Sequence, residues 1–182
     1  MSTDASIATH LIAAIQNRTA RVGVIGLGYV GLPLAVEFAR AGFQVTGIDV
    51  DETKVESIRA GQSYITDVAD DELSALVAAG RLVARADYAA LNQLDTLSIC
   101  VPTPLSKSRA PDISYIIAVT EQIARHCRRG QLLVLESTTY PGTTEEIIAP
   151  RLLGNGLKVG RDVFLAFSPE RVDPGNRQFV IR

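Results

Sequence analysis

Three glycines carry the clearest chemical signal in this 182-residue sequence. Residues 22–31, VGVIGLGYVG, have the form of a short β-branched strand, a GxGxxG turn and the start of a helix. In such a turn Gly26 permits the tight bend out of the strand, and Gly28 lets the backbone approach a pyrophosphate. Gly31 lets the helix pack closely against the sheet. Because a helix N-terminus offers N–H groups and a positive dipole end to phosphates, the segment predicts a dinucleotide-binding turn.

Asp49 indicates which dinucleotide would bind. It ends the next predicted strand. Its distance along the chain from Gly26 is close to the spacing of about 20 residues at which a carboxylate accepts hydrogen bonds from ribose hydroxyls. The same charge repels a 2′-phosphate, and Asp51 and Glu52 add to it, so the sequence favours NAD over NADP. FAD, another adenine nucleotide and a glycine turn without a ligand are the alternatives at this point.

The elements that must position these residues alternate between strand and helix. Strands are predicted at 21–25, 44–48, 82–85, 96–101, 132–135 and 163–167, and helices at 30–41, 52–60, 70–79, 113–128 and 143–153, with a short helical piece at 88–92. Asp112 is the predicted cap of the helix from 113, and Thr143 with Glu146 forms a predicted capping box. The alternation predicts an α/β fold with a doubly wound parallel (Rossmann) sheet.

The chain is expected to hold one domain at residues 21–182 and a short amphipathic helix within residues 1–20. Ile7, Leu11 and Ile15 recur every four residues there and form one apolar stripe. The net charge of −2 leaves no basic excess for nucleic acid, so a nucleic-acid partner is not expected. No run approaches the roughly 18 apolar residues that a membrane span needs, and a cytoplasmic location is expected.

The two cysteines, Cys100 and Cys127, lack the spacing of metal ligands. His10 and His126 likewise have no nearby arrangement of Asp, Glu or Cys that would hold a metal. We therefore expect free thiols and no metal site.

Three later segments follow predicted strands and are polar or proline-rich, at residues 101–104, 136–142 and 168–170. In an open parallel sheet, ligands bind beyond the carboxyl ends of the strands. All three segments are therefore expected to face the cofactor and to form the rim of an active site.

Together with the glycine turn, these segments resemble the N-terminal domain of the UDP-glucose/GDP-mannose dehydrogenase family. The matching stretches are residues 23–35, 101–105, 136–144 and 167–175. Within that family the sequence is most similar to the UDP-N-acetylglucosamine 6-dehydrogenases and their relatives in bacterial surface-polysaccharide synthesis.

The resemblance implies a four-electron oxidation of the primary alcohol of a UDP-sugar, expected to be UDP-N-acetylglucosamine, with two NAD. A cysteine thiol would hold the aldehyde as a thiohemiacetal, and the resulting thioester would be hydrolysed. By the same motifs Thr138 would position the water or reacting oxygen, and Glu170 would act as general base towards that water. The implied cofactor contacts, beyond the glycines and Asp49, are Tyr29, Val30, Lys54, Val101, Pro102, Thr103, Ser137 and Thr138.

The sequence also departs from the family pattern. The family's cysteine motif, Cys-Phe-Pro-Lys-Asp in a glycine-rich segment, is missing, and Cys100 lies in a strand and is not its equivalent. We therefore expect the NAD-binding portion of a longer enzyme, truncated before a central helix and a sugar-nucleotide domain and inactive by itself. The full-length enzyme is expected to be a homodimer. Lys107 and Arg109 are candidate sugar contacts, with a solvated basic loop as the alternative.

Two classes of alternative are open at this stage. The chain could be a non-catalytic module that binds NAD for sensing or scaffolding. It could also belong to another NAD dehydrogenase, such as a UDP-glucose 6-dehydrogenase or an enzyme of the 3-hydroxyacyl or 6-phosphogluconate type.

Overall fold

The computed structural model describes residues 3–104, 111–154 and 156–169. Its centre is a parallel six-stranded sheet with the strand order β3-β2-β1-β4-β5-β6. The strands are β1 (Arg21–Ile25), β2 (Gln44–Ile48), β3 (Leu82–Arg85), β4 (Thr96–Ile99), β5 (Gln131–Leu135) and β6 (Val163–Phe167). The sheet grows outward from β1 in both directions, as in the dinucleotide-binding fold. The predicted doubly wound α/β fold is confirmed.

Helices cover both faces of this sheet. They are α1 (Thr3–Gln16), α2 (Gly31–Arg40), α3 (Glu52–Arg59), α4 (Asp70–Ala78), α5 (Ser114–His126) and α6 (Ala149–Leu153), with a 3-10 helix at Ala89–Gln93 and a π-helix at Thr143–Ile148. Neighbouring residues of one strand belong to different cores: Val24 belongs to the cluster that includes residues of α2, α3 and α4, whereas Ile25 belongs to the cluster that includes residues of α5 and α6. Burial on both faces explains why the strands are almost continuously apolar.

The helix starts follow the sequence predictions only in part. Helix α5 begins at Ser114, one residue later than predicted, with Ile113 as its N-cap residue, and Asp112 accepts a hydrogen bond from the Ser114 N–H (2.9 Å). The predicted capping box at Thr143 is wrong, because the Thr143 hydroxyl donates to the Tyr140 carbonyl and the Glu146 N–H donates to the Gly142 carbonyl. Gly142 has a φ of 93°, and this left-handed residue starts a π-helical turn in place of a capped α-helix.

The N-terminal stripe is used to pack α1 on the domain. Leu11 is buried, and Ile7 and Ile15 are partly buried. Within the described ranges, no helix is long and apolar enough to cross a membrane. The same part of the chain has no group of three or more His, Cys, Asp or Glu residues arranged to hold a metal ion.

Asp162, just before β6, joins several groups at the amino edge of the sheet. Its buried carboxylate pairs with Arg129 (2.6 Å) and Arg161 (2.8 Å) and accepts a hydrogen bond from the Lys158 N–H (3.0 Å). The hydrogen bonds from Arg161 and Lys158 lower the pKa of Asp162 from 3.8 to about 2. Because the folded-state pKa is the lower one, the ionised carboxylate stabilises the fold above about pH 4, and this contribution is lost as the pH falls towards 2.

We therefore expect Asp162→Asn to lower Tm at pH 7. It should also flatten the fall of Tm between pH 4 and pH 2, which thermal melts followed by circular dichroism measure directly. Glu121→Gln, on the exposed face of α5, is the matched control and should leave both unchanged. An Asp162→Asn variant with the wild-type slope between pH 4 and 2 would contradict this role.

Candidate cofactor site

The glycine turn lies at the carboxyl edge of the sheet, between β1 and α2. A Cβ built on Gly26 (φ 89°) would lie 2.7 Å from the Cys100 carbonyl oxygen, and a Cβ on Gly31 would overlap the Gly26 carbonyl oxygen. These two glycines are required by the packing of the protein itself. A Cβ on Gly28 meets no atom within 4 Å, so Gly28 borders open space.

Three backbone N–H groups of the turn, those that follow Leu27, are available to a ligand. Within the described residues, no acceptor pairs with the N–H groups of Gly28, Tyr29 and Val30. They lead directly into α2, whose first turn has no side-chain cap. Unpaired N–H groups at a helix N-terminus bind phosphate groups, so this turn fits the pyrophosphate of a dinucleotide.

Asp49 is held at the same turn by three contacts. Its Oδ2 accepts from the Leu27 N–H (2.8 Å) and lies 3.2 Å from the Lys54 Nζ, and its Oδ1 accepts from the Asp51 N–H (3.0 Å). The side chain is buried. Because each carboxylate oxygen can accept more than one hydrogen bond, Asp49 can still bind ribose hydroxyls.

Two cavities meet at the glycine turn. The first, which we call the β2-side cavity, has a volume of about 380 Å³ and includes Asp49, Val50, Tyr88 and Tyr115 in its lining. The second, the β5-side cavity, has a volume of about 410 Å³ and includes Tyr29, Tyr64, Thr103, Ser137 and Thr138. Both are lined by Gly28, Lys54, Cys100, Val101 and Pro102. This two-lobed shape fits a ligand with two ends joined across Gly28.

The structure brings most of the predicted site residues together. Every predicted cofactor residue except Gly31 lines one or both cavities. Gly31 instead stands behind Gly26 and allows α2 to approach the turn. Glu170, Lys107 and Arg109 lie outside the described residues.

Two hydroxyl groups join the segments that form the rim of the β5-side cavity. The buried Ser137 donates to the Val101 carbonyl (2.7 Å), and Thr103 donates to the Thr138 carbonyl (2.6 Å). Both hydroxyls therefore already donate their protons to carbonyl groups of the protein. The side chain of Thr138 itself is exposed at the rim, where it can meet a ligand.

Sequence reasoning found Tyr29 but missed the three other tyrosines that line the cavities. Tyr64, Tyr88 and Tyr115 come from segments between or after the motifs, and no spacing rule marks them. Burial, with the negative charge of Asp49 as a further cause, raises the pKa of Tyr64 and of Tyr88. Both hydroxyls therefore stay protonated at neutral pH.

Comparison with known proteins agrees with this geometry. Residues 20–179 match the model of the UDP-glucose/GDP-mannose dehydrogenase family, NAD binding domain. A UDP-N-acetyl-D-glucosamine 6-dehydrogenase of Pseudomonas aeruginosa is 35% identical over 159 residues, which are 87% of this chain and 37% of the relative. A UDP-N-acetyl-D-mannosamine dehydrogenase of Pyrococcus horikoshii is 39% identical over 158 residues, which are 85% of this chain and 37% of the relative.

A solved structure of a relative has the same fold as this chain. The crystal structure of a ternary complex of GDP-mannose dehydrogenase from Pseudomonas aeruginosa superposes with a TM-score of 0.80 at 32% identity, over 85% of this chain and 37% of that one. The chain thus spans little more than a third of the length of these relatives. The matches confirm the predicted family and the predicted cofactor. The chain belongs to the UDP-glucose/GDP-mannose dehydrogenase family as its NAD binding domain, and its cofactor is NAD.

Proposed function

We propose that this chain is the NAD-binding portion of a nucleotide-sugar 6-dehydrogenase. The enzyme oxidises the C6 alcohol of a UDP-N-acetylhexosamine to the uronic acid in two NAD-dependent steps. The proposed substrate is UDP-N-acetylglucosamine. The observation that carries the proposal is the pair of cavities on either side of Gly28, with Asp49 in one and Thr138 in the other. The product would serve surface-polysaccharide synthesis.

Each part of NAD has a suitable set of residues in this proposal. The N–H groups of Gly28, Tyr29 and Val30 bind the pyrophosphate, and Asp49 with Lys54 binds the adenosine ribose. The β2-side cavity would hold the adenine, to which Val50 and the tyrosines Tyr88 and Tyr115 would offer largely apolar walls. Residues 101–103 and Ser137 of the β5-side cavity would hold the nicotinamide, and NAD would supply a hydride acceptor there.

Thr138 and Glu170 are the proposed catalytic residues. Thr138 is exposed at the rim of the β5-side cavity, and the bond from Thr103 to its carbonyl oxygen fixes its backbone. In this arrangement Thr138 positions the water or the reacting oxygen. Glu170, which follows β6 in the sequence, takes a proton from that water.

The wider organisation is part of the same proposal. Residues 1–20 hold the N-terminal helix, and residues 21–182 form the NAD-binding domain of a longer, homodimeric, cytoplasmic enzyme. The name of the Pseudomonas aeruginosa relative supports the choice of UDP-N-acetylglucosamine as substrate.

The thiol chemistry of this reaction needs a residue that the chain does not offer. The chain has two cysteines. Burial raises the pKa of Cys127 to about 11, and Cys127 follows α5 at the amino edge of the sheet, away from both cavities. Cys100 lines both cavities but is nine-tenths buried, and its backbone lies against Gly26.

We therefore expect the 182-residue chain to bind NAD without oxidising a UDP-sugar. Calorimetric titration with NAD measures binding, and absorbance at 340 nm measures NADH formation. Four substrates are compared, with the chain alone and with the full-length enzyme: UDP-N-acetylglucosamine, UDP-N-acetylgalactosamine, UDP-N-acetylmannosamine and UDP-glucose.

The outcomes separate the parts of the proposal. Steady NADH formation by the chain alone would contradict its role as a cofactor portion. Oxidation of UDP-glucose alone by the full-length enzyme would contradict the N-acetylhexosamine substrate. NAD binding without any sugar oxidation at full length would favour a non-catalytic NAD module.

A further inference from the structure

Leu27, between the first two glycines of the turn, has both of its backbone groups held by side chains from elsewhere in the chain. Its N–H donates to Asp49 Oδ2 (2.8 Å), and its carbonyl oxygen accepts from the Tyr64 hydroxyl (2.7 Å). The peptide unit between Leu27 and Gly28 is planar and trans, so its C=O and N–H point in opposite directions. By holding the carbonyl, Tyr64 therefore sets the direction of the Gly28 N–H.

That N–H is one of the unpaired groups of the turn. A glycine on each side of Leu27 gives this backbone few steric limits, so the glycines do not by themselves hold one orientation. Two fixed bonds at Leu27 remove that freedom before a ligand arrives. A preorganised binding site loses less entropy when its ligand binds.

Tyr64 comes from a well-anchored segment between α3 and α4. The Ser63 N–H donates to Asp70 Oδ1 (2.7 Å), and the Ser63 hydroxyl donates to the Ile65 carbonyl (2.9 Å). The side chain of Ile65 is buried in the core beside α2 and α4. Tyr64 is therefore presented to the turn by residues that are themselves fixed.

Tyr64 also lines the β5-side cavity, as Lys54 and Thr103 do. Because burial raises the pKa of Tyr64, its hydroxyl stays protonated at neutral pH and remains a donor. We propose that Tyr64 is a positioning residue for NAD, whose hydroxyl orients the Leu27–Gly28 peptide so that the turn binds the pyrophosphate. This inference rests on the assigned NAD site and adds to it a residue outside the glycine motif.

The test compares Tyr64→Phe with the wild-type chain. The ligands are NAD, ADP-ribose and adenosine, titrated while the backbone amides are followed by NMR. Ser74→Ala is the matched control, because it also removes a hydroxyl that donates to a backbone carbonyl, that of Asp71 (3.0 Å), and it lines neither cavity.

We expect Tyr64→Phe to weaken NAD and ADP-ribose by roughly two- to tenfold, the range for one neutral hydrogen bond. Adenosine, which has no pyrophosphate, should bind the variant as it binds the wild type. The Gly28 and Tyr29 amide signals should shift in the variant, while Tm stays close to that of the wild type. Ser74→Ala should match the wild type with all three ligands.

Unchanged NAD affinity in Tyr64→Phe would overturn the inference. An equal loss for adenosine would also overturn it, since that pattern indicates a general effect on the fold. A wild-type chain that fails to bind NAD would overturn the NAD site itself, and with it this inference, whatever Tyr64→Phe does.

Discussion

Replacing Gly28 by alanine is expected to remove most NAD binding without unfolding the domain. A Cβ at this position meets no protein atom within 4 Å, and the backbone of Gly28 is outside the left-handed region, so alanine fits the folded chain. The added methyl group occupies the space through which the backbone approaches the pyrophosphate. We expect NAD affinity to fall by at least tenfold, or about 1.4 kcal/mol. Calorimetric titration measures this loss, and a thermal melt checks the fold.

Gly31→Ala is the contrasting variant. Its Cβ would overlap the Gly26 carbonyl oxygen, so the strain falls on the protein. Overpacking of this kind costs about 1–3 kcal/mol of stability, and Tm should fall even without NAD. If Gly28→Ala bound NAD as the wild type does, the pyrophosphate would not cross the turn at Gly28.

The second large effect is expected at Asp49, whose replacement should weaken NAD and relax the choice between NAD and NADP. Asp49→Asn removes the charge that repels a 2′-phosphate and leaves the Lys54 ammonium, 3.2 Å away in the wild type, without its ion-pair partner. The preference for NAD over NADP should fall by tenfold to a hundredfold, about 1.4–2.7 kcal/mol. The ratio of the two dissociation constants is the measurement.

A double variant isolates the contribution of Lys54. In Asp49→Asn with Lys54→Met, the affinity for NADP gained by the single variant should be lost again, because the cation that attracts the 2′-phosphate is gone. Compared with the wild type and the two single variants, the double variant completes a cycle that measures the coupling between these two contacting residues. If the ratio of the dissociation constants for NAD and NADP were the same in the wild type and in Asp49→Asn, Asp49 would not select the cofactor.

The fold was largely predictable because its signals are local. Apolar strands, glycine stops after helices and the glycine turn lie within short windows, and the structure places the six strands within two residues of the predicted bounds. The start of the helix at Thr143 was not predictable in the same way. A threonine three residues before a glutamate matches a capping box, but the left-handed Gly142 and the Thr143–Tyr140 bond depend on how the chain leaves β5.

The site divides along the same line. Asp49 could be found from its spacing after the glycines, whereas its bonds to Leu27 and Lys54 required the folded turn. Ser137 was predicted as a cofactor contact, and the structure adds that its hydroxyl proton goes to Val101. Tyr64 and Tyr115 reach the cavities only through tertiary packing. The Tyr64 hydroxyl donates to the carbonyl of Leu27, which lies 37 residues earlier in the chain.

The three glycines of the turn would diverge differently in a lineage that stopped using NAD. Gly26 and Gly31 are held by contacts inside the protein, so selection for a stable fold alone would keep them. Gly28 has no such contact, so most small residues could replace it once no ligand had to approach the turn. Among descendants of this domain, the residue at position 28 would therefore separate those that still bind a dinucleotide from those that retain only the architecture.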